Sequence, residues 1–160
     1  MGFDFRQLYE YEKDAHRQVL DSLKSVPEGR RTDASFVYAL NKFAHIFTAR
    51  KIWLHRLGHA EMPEDLFPTD FSLAQIEELI ERVESKWTEY FAESDSNELA
   101  RTIEYRDTEG VGYSNTVDEI LTQLFSHSFY HRGQIASAIK QSGGNPVDTD
   151  FIYSVRRLSG

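Results

Sequence analysis

Four stretches of this chain repeat their apolar residues at three- and four-residue steps, and each is bounded by turn or capping signals. A period near 3.6 gives each stretch an apolar stripe that another element must cover, so the chain is restricted to helices packed on helices. The first stretch runs from about Asp4 to Val26. Phe5, Leu8, Glu12, Ala15, Val19, Leu23 and Val26 keep step, Asp4 and Gln7 are spaced as a capping pair, and Pro27-Glu28-Gly29 ends it. The second runs from about Ala34 to Leu57. Phe36, Leu40, Phe43, Phe47, Leu54 and Leu57 form one stripe; Tyr38, Ala49 and Ile52 form a nearly opposite one, which predicts burial on two sides. The third starts near Leu73 behind a Ser72/Gln75 capping box and carries Ile76, Ile80, Val83, Trp87 and Tyr90. The fourth runs from about Val117 to Gln141, between a Thr116/Glu119 capping box and Gly143-Gly144.

Between the third and fourth stretches the period changes to two. Leu99, Arg101, Ile103 and Tyr105 alternate, Asp107-Thr108-Glu109-Gly110 signals a turn, and Val111-Gly112-Tyr113 returns, which predicts a short β-hairpin. Asp150 to Leu158 reads as a last short helix. The fold class expected is therefore all-α, an up-down four-helix bundle with a hairpin between helices 3 and 4, in one domain spanning residues 1–160.

Composition narrows the chemistry. Asp and Glu number 26 against 18 Lys and Arg, a formal charge of −8. Such a surface repels phosphate backbones, so no nucleic-acid partner is expected. No segment has the ~20 apolar residues of a membrane span, and Met1-Gly2-Phe3-Asp4-Phe5 lacks both the basic start and the apolar core of a secretory leader. Arg6 stands where N-myristoylation needs Ser or Thr. The expectation is a cytoplasmic protein. With no Cys, a disulfide framework, a thiolate-ligated metal and a Cys nucleophile are all excluded.

Six histidines remain. His127 and His131, at i and i+4, share one face of the fourth helix, where one ion can bridge them. Six His in 160 residues give such a pair by accident about one time in five, so the spacing alone is weak. The face is the stronger signal. Ile120, Leu124, His127, His131, Ile135 and Ala138 form one stripe, so both imidazoles point inward, where an unpartnered polar ring is costly. His45, beside Tyr38, Ala49 and Ile52 on the second helix, is the best candidate for a third ligand; a hydrogen-bonded core histidine is the competing reading for each. His16 reads as structural or exposed. His55 and His59 repeat the spacing, but His59 follows Gly58, where the helix ends. No His-Glu-x-x-His, Glu-x-x-His, phosphate-binding loop or Gly-x-Ser-x-Gly is present.

His45-Ile-Phe-Thr-Ala-Arg-Lys-Ile-Trp53-Leu54 resembles the second-helix motif of the DinB family of DinB/YfiT-like metalloproteins. Leu124-Phe-Ser-His127-Ser-Phe-Tyr-His131-Arg132-Gly133-Gln134-Ile135 resembles its fourth-helix motif, His-x-x-x-His-Arg-Gly-Gln. The hairpin at Tyr105–Gly110 and the ending Gly144-Asn-Pro146-Val-Asp-Thr-Asp150-Phe151 are similar to the family's as well. The resemblance spans essentially the whole chain. It implies a bundle with one divalent ion, zinc, nickel or iron, held by His45, His127 and His131. It also implies a homodimer and, by analogy with thiol-dependent relatives (bacillithiol transferases and mycothiol-dependent isomerases), a low-molecular-weight thiol as co-substrate.

Three neutral imidazoles leave a divalent ion fully charged with a position open, the arrangement of a catalytic rather than a structural site. The function expected is a metal-dependent thiol S-transferase or hydrolase acting on a small electrophilic molecule. The alternative is a non-catalytic metal-binding or dimerising bundle. Arg132 is expected to pair with Asp150 or to bind a substrate carboxylate, Gln134 to support a ligand or pack, and Tyr38 and Tyr130 to line a pocket.

Overall fold

The computed structural model describes residues 4–66 and 68–158, so the reading made on Met1, Gly2 and Phe3 lies outside the described residues. Four long helices and the hairpin follow one another in the expected order. They are α1 (Phe5–Lys24), α2 (Ala34–Arg56), α3 (Leu73–Glu93), a short α4 (Ser96–Ala100), β1 (Thr102–Arg106), β2 (Gly112–Thr116), α5 (Val117–Gln141) and a four-residue α6 (Ile152–Val155), with a 3-10 turn at Glu28–Arg30. None of these helices is long and apolar enough to cross a membrane.

Local chemistry sets the ends. The Asp4 carboxylate accepts from the backbone N–H groups of Arg6 and Gln7, both at 3.1 Å, and so caps α1. At α3 the capping box is complete: Ser72 Oγ accepts from Gln75 N and Gln75 Oε1 accepts from Ser72 N. At α5 half of it forms. Glu119 Oε2 accepts from Thr116 N at 3.0 Å, but the Thr116 hydroxyl turns to Asp118 instead. Helices α2 and α5 end alike. Gly58 (φ 88) and Gly143 (φ 79) take the left-handed conformation, and the next residue's N–H returns to the carbonyl five residues back, His59 to Leu54 and Gly144 to Ile139.

The residues gather into two compact units, one of residues up to Phe43 with those from Tyr130 on, the other Ala44–Phe129. In the first, the α1 stripe buries Phe5, Leu8, Ala15, Val19 and Leu23, and Phe36, Leu40, Phe43, Ile135 and Ile139 are buried too. Each of these side chains larger than Ala15 contributes about 1.5–3 kcal/mol on removal from water. The chain after α5 is tied to α1: Ser22 Oγ donates to Asn145 O, and Ser25 Oγ accepts from Asn145 N. Gly144 is a packing requirement here, since a Cβ would lie 2.6 Å from Val26 Cγ2 and 2.8 Å from Ile139 Cγ2.

In the second unit Trp87, Tyr90 and Phe91 of α3 form a contiguous aromatic cluster, and Phe47, Leu54, Ile76, Leu121 and Leu124 are buried. The buried Arg50 guanidinium lies over the Trp87 and Phe125 rings. The hairpin pairs antiparallel from Thr102↔Thr116 to Arg106↔Gly112, and Asp107 Oδ1 accepts from Glu109 N and Val111 N to close the turn.

Three expectations shift. The strand begins at Thr102, not Leu99, because Asp95 caps a helical turn over Ser96–Ala100. The final helix is confined to Ile152–Val155. The second stripe of α2 is only half-buried at Ala49 and Ile52 and exposed at Tyr38, so α2 is not buried on two sides.

Candidate metal site

Two helices supply the histidines. On α2, His45 sits among the buried Ala44, Ile46, Phe47 and Thr48, and the Thr48 hydroxyl donates to the carbonyl of Ala44 within the helix. On α5, His127 and His131 stand one turn apart between Leu124 and Ile135, on the stripe the sequence predicts. His45 Nε2 and His127 Nε2 lie 3.1 Å apart. Two nitrogens on one ion are about 3.3 Å apart at a tetrahedral angle and about 3.0 Å apart at an octahedral one. The unbroken α5 carries His131 next to His127, and all three imidazoles offer a nitrogen within 4.8 Å of one another. Among the described residues this is the cluster of metal-ligating side chains, and it contains no carboxylate.

The surroundings set the protonation that ligation needs. His131 Nδ1 donates to Gln134 Oε1 at 2.8 Å, which leaves Nε2 with its lone pair. Burial pushes the His131 pKa below its ordinary value; the Gln134 hydrogen bond opposes this and the Lys42 charge adds to it. The ring is therefore neutral at neutral pH, as a metal ligand must be.

A cavity of about 650 Å³ opens beside His127. Trp53 and Tyr105 form an aromatic wall, edge to face at 4.9 Å, and Ala49, Ile120 and Leu124 add apolar surface. Asn115, Glu119 and Gln123 supply polar groups. Its volume is in the range of small-molecule sites.

Arg132 forms an ion pair, but with Glu12 rather than Asp150. Arg132 Nη1 lies 3.2 Å from Glu12 Oε1, and the two side chains are 2% and 0% exposed. Tyr11 Oη and Thr149 Oγ1 accept two more guanidinium bonds. The following loop thus contributes Thr149, while the exposed Asp150 bends back, its N–H donating to Asp148. A carboxylate buried on α1 is the stronger partner, since it needs a counter-charge as much as the arginine does. Glu12 carried the signal: a carboxylate in step with an apolar stripe demands a partner.

Other histidines behave as the sequence suggests. His16 is buried against the Phe43 ring. His55 Nδ1 meets the carbonyl of Ala60, and His59, beyond the Gly58 stop, lies against Tyr90, so the two do not form a ligand pair. Tyr38 and Tyr130 stand largely exposed, one under Lys42 and the other beside the His131 ring. The cavity residues Trp53, Tyr105, Asn115, Glu119 and Gln123 escape sequence reading because α2, both hairpin strands and α5 contribute them.

Comparison with known proteins gives one consistent result. The chain is 22% identical over 161 residues to "Protein DinB" of Bacillus subtilis (strain 168), covering 91% of this chain and 90% of that protein. The crystal structure of a DinB-like protein from Bacillus cereus ATCC 10987 superposes with a TM-score of 0.67 at 22% identity, over 90% of this chain and 94% of that one. This likeness shows the shared all-α fold. A model of the DinB family matches residues 1–156, so the chain belongs to the DinB family.

Proposed function

We propose that this chain binds one divalent ion, zinc, nickel or iron, through His45, His127 and His131, and is a metal-dependent S-transferase or hydrolase for a small electrophilic molecule. The observation that carries the proposal is the convergence of three imidazole nitrogens within 4.8 Å. A divalent ion with neutral ligands lowers the pKa of a bound thiol or water towards neutrality. The chain itself has no thiol, so sulfur chemistry here needs a low-molecular-weight thiol as co-substrate.

The chain's own residues do the rest. Gln134 fixes the His131 tautomer, and Trp53, Ile120 and Leu124 give the cavity beside His127 an apolar lining. That cavity favours the catalytic reading over a purely structural metal, which would have no use for a space of about 650 Å³ at one ligand. A homodimer without a nucleic-acid partner completes the reading, from the family resemblance and the charge of −8.

Elemental analysis of untagged protein tests the core of this. Wild type should carry about one equivalent of divalent metal, and His127→Ala should lose it. Wild type that holds none, and takes up none from added zinc or nickel, refutes the site. Cobalt-loaded protein then tests the open position: an added small thiol should change its visible spectrum.

A further inference from the structure

We infer that the cavity beside His127 selects a ligand with a cationic amine at one end and a flat or apolar body, the amine meeting Glu119 and the body lying on Trp53 and Tyr105. This rests on the proposed function, because it names the substrate or co-substrate class of the same site.

The argument starts with charge. Of the residues that line the cavity, Glu119 is the one carrying a formal charge, and no Lys or Arg lines it. The nearby Arg56 does not offer its charge to the cavity wall. Its guanidinium packs on the Trp53 ring at 4.7 Å and the Tyr105 ring at 4.6 Å, and Nη2 donates to the carbonyl of Arg106. Arg56 therefore stiffens the wall, and a carboxylate or phosphate at the Glu119 end of the cavity finds no counter-charge.

The Glu119 carboxylate is held in place. Tyr105 Oη donates to Asn115 Oδ1 at 2.9 Å, and Asn115 Nδ2 donates to Glu119 Oε2 at 3.0 Å. The cap bond from Thr116 N reaches the same oxygen. These bonds hold its pKa below the ordinary value, the Asn115 bond most, so it stays anionic. A carboxylate fixed by donors from Asn115 and Thr116 recognises a further donor, and a charged one best.

Helix geometry sets the length. Glu119, Ile120, Gln123, Leu124 and His127 follow one face of α5 along the cavity. Eight residues separate Glu119 from His127, a rise of about 12 Å. A ligand with its amine at Glu119 and its reactive atom near His127 is thus about drug-sized, with its middle against the aromatic wall.

The test uses phenylpropylamine, phenylpropanol and phenylpropionate, which share a ring and a chain and differ in charge. Trp53 reports binding, since Trp87 is fully buried away from solvent. The amine should perturb tryptophan emission saturably and bind about fivefold more tightly than the carboxylate at low ionic strength, with salt shrinking the gap, because Glu119 is solvent-facing. Glu119→Gln should abolish the preference while keeping the helix cap, because Gln also accepts from Thr116 N. Gln123→Glu should enlarge it, and Trp53→Phe should remove the signal. Equal or tighter carboxylate binding, a preference that survives Glu119→Gln, or no response to any of the three overturns the inference.

The titrations are run on chelator-stripped and zinc-loaded protein, with metal content measured on each sample. The part of the amine preference that Glu119→Gln removes should be the same in both, since a metal at the histidines offsets wild type and variant alike. Bound metal without that Glu119-dependent part refutes this inference alone, and that part without metal uptake refutes the metal site alone.

Discussion

Replacing Glu12 by Gln should be among the most damaging conservative changes available in this chain. The Glu12 and Arg132 side chains are 0% and 2% exposed, and their charged atoms lie 3.2 Å apart. At an effective dielectric near 20, charges at that distance attract by about 5 kcal/mol. Folding has already spent much of that on desolvation, so the intact pair adds little net stability. Glu12→Gln keeps the shape and removes the carboxylate charge that faces the buried guanidinium, to which Tyr11 and Thr149 offer neutral oxygens. A stranded buried charge costs about 3–5 kcal/mol. For a chain of this size that is a fall in Tm of about 6–20 °C, at about 2–4 °C per kcal/mol. Urea unfolding followed by circular dichroism, with chelator present so that metal binding does not shift the equilibrium, measures it directly. Glu12→Leu with Arg132→Met should recover most of the loss, since neither charge is then buried alone. A Glu12→Gln cost under about 1 kcal/mol, or a double variant no better than the sum of the singles, refutes the account.

Three further outcomes follow from the same geometry. Gln134→Leu removes the acceptor of His131 Nδ1–H and should weaken metal affinity about 10–100-fold with little change in the helical spectrum; equilibrium metal competition measures it. Gly144→Ala forces a Cβ against Val26 and Ile139 and should cost about 1–3 kcal/mol in urea unfolding, whereas the exposed Gly133→Ala should be neutral or stabilising. The Glu98 carboxyl is held below its ordinary pKa, chiefly by its hydrogen bonds from Arg101 and against the effect of burial. A depressed carboxyl pKa contributes stability that is complete above the unfolded value and lost as pH falls through the folded one. Glu98→Gln should therefore flatten the acid limb of Tm against pH, and an unchanged limb would remove Glu98 from the account.

Much of the architecture is written locally. Asp4, Ser72, Gly58 and Gly143 set helix ends through their own side chains or backbone freedom, so the residues at those places announce the boundaries. Asp107 and Gly110 do the same for the hairpin turn. The inward face of His127 and His131 is legible for the same reason, since helical period fixes which side chains share a stripe. Errors arise where a local signal has a rival a few residues away. Leu99 alternates with Ile103 and Tyr105, but Asp95 wins that segment for a helical turn. Thr116 has the spacing of a capping box, yet its hydroxyl finds the nearer Asp118.

What the sequence determined by itself, then, is every long helix, the hairpin and the side of α5 on which its two histidines stand, because those depend on spacing within a few residues. Only the tertiary structure decided that His45 Nε2 reaches His127 Nε2, that Glu12 and not Asp150 neutralises Arg132, and that Trp53, Tyr105 and Glu119 enclose one cavity. Each of these joins residues between 14 and 120 positions apart in the chain. Such pairings are chosen by packing and by the cost of burying an unpaired charge, and neither leaves a period to read.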